Sequence, residues 1–143
     1  MTTEDPTAAK DLARRVQEDV WNDGDLDAVD DLFAEDFVQH SPWKPSELHG
    51  RDEFKEQVRT FHAAFPDLHG TVDDVIAEGD TVANRFTMRA THEGEFMGVE
   101  PTGGEVELVG TIFARVEDGK IAERWVVDHV LGFLEDLGTV EEP

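Results

Sequence analysis

The stretch Glu105–Val130, EVELVGTIFARVEDGKIAERWVVDHV, decides how this chain folds. Val, Ile, Thr and Phe crowd both of its halves, which read as strands over Glu105–Val116 and Lys120–Val130. Glu117-Asp118-Gly119-Lys120 between them reads as a tight hairpin, because Asp-Gly supplies positive φ at little cost. Working back toward the N-terminus, Leu68–Ile76 and Thr81–His92 have the same character and meet at Glu78-Gly79-Asp80. Long consecutive strands with short joints predict an antiparallel sheet.

Before Pro66 the apolar period becomes helical. Phe54, Val58, Phe61 and Phe65 recur at four, three and four residues, and Pro66 stops that helix by withholding a backbone donor. A first helix starts at Asp5-Pro6, carries Ala9, Leu12, Val16 and Val20 on one face up to Trp21, and ends at Asn22-Asp23-Gly24. A shorter one runs Asp25–Ala34 with Asp25 as its cap, and Phe37–His40 is a short extended piece. The prolines of Ser41-Pro42-Trp43-Lys44-Pro45 predict a loop that continues to Gly50, and Leu131–Leu137 is a last helical turn. Helices first and strands afterwards give an α+β class with helices on one face of a sheet. Strands of this length curl, so the expected shape is a cone enclosing a cavity suited to a small molecule.

At 143 residues, with apolar residues spread from Leu12 to Leu137, one domain over 1–143 is expected. Asp and Glu outnumber Lys and Arg by 34 to 12, a formal charge of -22, which argues against nucleic acid and acidic membrane surfaces as partners. The acids are interleaved with the apolar periods rather than gathered in a tail, as in a charged shell around a core. That shell suits a salt-rich cytoplasm, where the Debye length falls to about 3 Å at 1 M and self-repulsion vanishes. A higher melting temperature in multimolar potassium chloride than in dilute buffer is the expected result; equal melting in both contradicts it. The chain has no cysteine, so thiolate metal sites and disulfides are excluded, and the histidine and carboxylate spacings fit no metal motif. The opening MTTEDPTAAK carries neither a basic nor an apolar segment, and no run of 18 apolar residues occurs, so a cytoplasmic location is expected.

Five motifs carry a family resemblance. They are Trp21-Asn22-Asp23-Gly24-Asp25, Phe37-Val38-Gln39-His40-Ser41-Pro42, Ala64-Phe65-Pro66-Asp67, Thr91–Gly98 with Pro101-Thr102-Gly103, and Gly119–Asp128. Together they span nearly the whole chain, which resembles the SnoaL-like polyketide cyclases and ester cyclases of the nuclear transport factor 2-like superfamily. The resemblance implies a cone-shaped α+β barrel, pairing into homodimers through the sheets, no metal or organic cofactor, and an aspartate late in the last strand as acid and base in an aldol ring closure. Asp128 holds that place here, and His40 and His92 match histidines that lie near the pocket in similar proteins. His129 and Glu135-Asp136 depart from the family pattern, where a polar uncharged residue is common.

An aldol closure needs a base toward carbon, support for the enolate and an acid for the new alkoxide. A carboxyl buried in an apolar strand has the raised basicity this asks for. Asp128 shares parity with Ala122, Arg124 and Val126, opposite to Trp125 and Val127, so it faces either the cavity or solvent, and Arg124 could pair with it and weaken it as a base. A β-bulge near the strand's end would rearrange these faces. His40 and His92 are either donors to a substrate carbonyl or caps of their loops. Arg85 and Arg89 face opposite to Asn84, Phe86 and Met88, and either set could be inside; Arg85 is then an anchor for an acidic group or a surface ion pair. Trp43, Phe61, Phe65, Phe113 and Trp125 read as core that doubles as cavity wall. The function expected is acid/base chemistry on a carbonyl compound. A non-catalytic ligand-binding module is the alternative, as is a hydrolase or dehydratase that activates water with His92 or Glu123 beside Asp128.

Overall fold

The computed structural model describes residues 5–44 and 46–138. Pro45 of the expected loop and both chain ends lie outside them.

Helix α1, Pro6–Arg15, begins where Asp5 accepts a hydrogen bond from the Thr7 N–H at 2.9 Å and Pro6 fills the first turn. It continues through Val16–Asn22 with widened, π-helical turns that bury Val16, Gln17, Val20 and Trp21. The Asn22 amide closes this end on the Gly70 backbone, accepting its N–H at 2.7 Å and donating to its carbonyl at 2.9 Å. Helix α2 is Asp27–Leu32, with the Asp25 carboxylate accepting the Asp27 and Ala28 N–H groups at 3.1 and 3.3 Å. Two residues expected in this helix, Phe33 and Ala34, instead open strand β1, Phe33–His40, because Phe33 and Phe37 are buried there against Phe54. The expected Ser41–Gly50 loop contains a short strand β2, Leu48–His49, and α3 follows over Gly50–Ala64, burying Phe54, Val58, Phe61 and Ala64.

Strands β3 (His69–Glu78), β4 (Thr81–Thr91), β5 (Glu105–Glu117) and β6 (Lys120–Asp128) form the meander, and α4 (Val130–Leu137) closes one end. The β5–β6 turn has Asp118 at φ 53° and Gly119 at φ 76°, the pair of positive values that a two-residue hairpin demands. The sheet order is β2-β1-β6-β5-β4-β3. It is mixed rather than wholly antiparallel, since β1 lies parallel to β6, with His40 beside Trp125. The reason is connectivity: β1 reaches the free edge of β6 from the helical half of the chain rather than through a hairpin.

Curvature puts α1 and α3 against one face of the sheet, and Val82, Phe86, Met88, Val106, Leu108 and Ala114 project into the core there. On β4 the inner set is therefore Asn84, Phe86 and Met88, and Arg85 and Arg89 are outside. The opposite face leaves Phe113, Trp125 and Val127 exposed. No helix among the described residues is long and apolar enough to cross a membrane.

Candidate active site

The pocket opens between α3, the Ser41–Trp43 loop and the inner faces of β4, β5 and β6. Its cavity volume is about 40 Å³, and it is open to solvent at its mouth. Trp21, Phe61, Phe86, Met88, Leu108 and Val126 form its apolar wall, and Gln17, Gln39, Ser41, Gln57, Arg124 and Asp128 are its polar groups.

Asp128 reaches the pocket because β6 stays in regular register with β5 up to its end: Gly110 pairs with Asp128, Ile112 with Val126 and Ala114 with Arg124. The irregularity of this pair lies at the other end, between Arg115 and Val116, so it does not turn Asp128 outward. Gly110 makes the room. A Cβ there would stand 2.3 Å from Asp128 Oδ1 and 2.9 Å from the Phe86 ring. One carboxylate oxygen, Oδ2, accepts a hydrogen bond from Trp43 Nε1. The other, Oδ1, is buried without a hydrogen-bond partner among the described residues. Burial pushes the carboxyl up to about 6, and the Trp43 N–H, Arg124 and His129 pull it back only in part. The expected weakening by Arg124 is thus the smaller effect, because the two groups form no ion pair within 4.0 Å.

Arg124 is itself buried. Its Nη1 donates to Gln39 Oε1 at 3.0 Å, Gln39 Nε2 donates to Gln57 Oε1 at 3.0 Å, and the guanidinium lies 5.9 and 5.5 Å from the Phe33 and Phe54 ring centres. Loss of water lowers its pKa to about 10. Gln17 Nε2 donates to Asn22 Oδ1 at 3.0 Å and so holds its amide at the pocket wall.

Of the residues singled out in the sequence, the pocket brings together Asp128, Trp43 and Phe61. Phe65 lies behind Phe61, packed on His92, Phe96 and Phe133. His92 is fully buried but does not line the pocket: Nδ1 is 3.3 Å from Thr102 Oγ1, and its backbone pairs with Gly103 and Gly104, so it closes the 92–104 loop. His40 is on the outer face, stacked on Trp125, with Nε2 2.7 Å from Glu123 Oε2 and Nδ1 3.3 Å from Glu47 Oε2. That contact also takes Glu123 away from Asp128. Arg85 is an exposed partner of Asp74, and Phe113 and Trp125, 48% and 40% exposed, lie outside because their strand parity is opposite to that of Asp128. Gln39, Gln57 and Gln17 were not singled out. Their signal is a polar residue inside an apolar stripe, Gln57 between Phe54 and Phe61 above all.

The SnoaL-like polyketide cyclase family model matches residues 11–137. The chain belongs to that family. No curated protein matches this SnoaL-like chain. Solved structures do. AclR from Streptomyces galilaeus, provisionally named a hydroxylase, is 34% identical with a TM-score of 0.86, covering 97% of this chain and 86% of AclR. IdmH from Streptomyces antibioticus, provisionally named a polyketide cyclase, is 34% identical with a TM-score of 0.77, covering 90% of this chain and 96% of IdmH. An epoxide hydrolase of M. tuberculosis shares the fold at 17% identity and a TM-score of 0.71, covering 92% of this chain and 90% of its own. The nuclear transport factor 2-like scaffold of SnoaL-like proteins therefore carries more than one named chemistry, and the site must decide among them.

Proposed function

We propose that this SnoaL-like protein moves a proton on a small carbonyl compound, with Asp128 as the acid and base of an aldol-type cyclisation or an isomerisation. The observation that carries the reading is the free, buried Oδ1 of Asp128 facing an apolar pocket. As a carboxylate, Oδ1 takes a proton from a carbon flanked by carbonyls, while Oδ2 stays on Trp43 Nε1 and fixes the direction of attack. The electron pair of the broken C–H bond moves onto the carbonyl oxygen as an enolate. Pocket donors suited to that oxygen are the Ser41 hydroxyl and the Gln57 amide. In ring closure the enolate carbon bonds to a second carbonyl carbon, and the proton on Asp128 passes to the new alkoxide. In isomerisation the proton returns to a different carbon. A water-activating reaction lacks the support expected for it, because His92 and Glu123 both lie away from Asp128.

The test is uptake of solvent deuterium at the α-carbon of β-keto esters, followed by NMR. The parent is expected to catalyse it and Asp128→Asn to lose the activity by about 10²–10⁴-fold, the usual worth of a general base. Uptake that survives in a folded Asp128→Asn protein overturns the assignment.

A further inference from the structure

The chain has 34 acidic side chains against 12 basic ones, and six of its eight arginines are correspondingly supplied, while Arg51 donates to the Phe33 carbonyl. Arg14, Arg15, Arg59, Arg85, Arg89 and Arg115 each have a carboxylate within 4.0 Å. Arg124 is the buried arginine, only 4% exposed, and no carboxylate among the described residues lies that close to it. Its one hydrogen bond among them, to Gln39 Oε1, uses one of five guanidinium N–H donors. Asp128 acts on the guanidinium electrostatically from beyond 4.0 Å, but a buried cation with no carboxylate in contact is still costly, and the two phenylalanine rings beside it replace its lost hydration only in part. Arg124 is also part of the pocket wall, and its guanidinium is held by the Gln39–Gln57 amide relay, whose members line the same pocket.

We infer that the ligand supplies the contacting carboxylate that Asp128 does not: the pocket takes a keto acid whose carboxylate sits on Arg124 while its enolisable carbon lies at Asp128. A carboxylate fits because the planar fork of a guanidinium binds two coplanar oxygens at once. Position agrees. Arg124 and Asp128 are four residues apart on one strand face, about 13 Å between backbones at strand rise, with Val126 between them. That separation sets the scale of the ligand, with a few carbons between the acid group and the reacting carbon. The anchor is distinct from the acid/base group, and the inference rests on the proposed reading of Asp128 only for what happens at the other end of the ligand.

The test compares γ-benzoylbutyrate with its methyl ester by quenching of Trp21 and Trp43 fluorescence, in 1 M potassium chloride so that the net charge of -22 is screened to about 3 Å. The parent is expected to bind the acid at least about tenfold more tightly than the ester, the worth of a hydrogen-bonded charge pair. Arg124→Met, which keeps an unbranched apolar stem without the charged group, is expected to reduce that preference to below about twofold while still binding the ester. Arg124→Lys is expected to keep part of it. Equal binding of acid and ester by the parent, or no binding of the acid, overturns the inference without need of a variant, as does a preference that persists in Arg124→Met. Asp128→Asn separates this from the catalytic reading. It is expected to keep the preference for acid while losing deuterium uptake, so a parent that prefers the acid yet exchanges no α-proton contradicts the role of Asp128 alone.

Discussion

At pH 8, Asp128→Asn is expected to unfold at a temperature on the order of 10 °C above that of the parent. The carboxyl has an ordinary value of 3.8 in the unfolded chain and about 6 in the folded one. At 1.36 kcal/mol per unit, that gap is a folding penalty of about 3 kcal/mol once the group is ionised on both sides of the equilibrium. The direction follows from the raised folded value. Below about pH 4 the carboxyl is protonated whether folded or not, and the extra stability of the neutral form is fully present. As pH rises through about 6 that stability is lost, because the unfolded chain gives up the proton first. Asparagine is neutral throughout and its carbonyl oxygen can still accept the Trp43 N–H, so the variant escapes the penalty. Thermal melts from pH 4 to pH 8 are expected to lie close together at the acid end, to separate between pH 4 and pH 6 and to stay apart by a constant interval above it. A variant less stable than the parent at pH 8 contradicts a desolvated carboxyl. A stabilised but inactive variant is the behaviour of a group retained for chemistry at the expense of the fold.

Gly110→Ala is the second large effect. The added Cβ meets Asp128 Oδ1 at 2.3 Å, the Val127 carbonyl at 2.8 Å and the Phe86 ring at 2.9 Å. Two of these are backbone or a packed ring, so the carboxyl is what must move. Overpacking of this kind costs about 1–3 kcal/mol, read by urea unfolding, and displacement of Oδ1 is expected to bring deuterium uptake down to the level of Asp128→Asn. Gly132→Ala is the control. Its Cβ meets nothing within 4 Å inside α4, so it is expected to stabilise by about 0.5–1 kcal/mol and leave uptake unchanged. Equal behaviour of the two alanine variants contradicts the fit of Gly110 to Asp128.

Much of the fold was legible because it rests on local signals. The β-branched runs after Pro66, the Asp118-Gly119 turn, the cap at Asp5 and the helical period of Phe54, Val58 and Phe61 each fix an element within a few residues. The parallel pairing of β1 with β6 was not legible, because strand order depends on contacts between residues such as His40 and Trp125 that are 85 positions apart. The α2–β1 boundary was misplaced for a similar reason: Phe33 suits a helix locally, and its burial against Phe37 and Phe54 decides otherwise.

The site was legible in parity but not in direction. Strand alternation groups Arg124, Val126 and Asp128 on one face and Trp125 with Val127 on the other, and the structure keeps that grouping. Polarity points the wrong way, because here the aromatic residue is outside and the charged ones are inside, as happens where a strand lines a functional cavity. His40 and His92 were drawn to the pocket by residue type and resemblance. Their partners, Glu123 and Thr102, come from other segments and hold them elsewhere.

The most direct test of Asp128 as a base toward carbon is the pH dependence of deuterium uptake in the parent and in Asp128→Asn. Above the uncatalysed exchange, the parent rate is expected to rise with the ionised fraction of the carboxyl, reach half its maximum near pH 6 and level off above it, with the variant following the uncatalysed exchange throughout. A parent midpoint below about pH 4.5, in the range of an ordinary carboxylate, or equal rates in the two proteins, would contradict it.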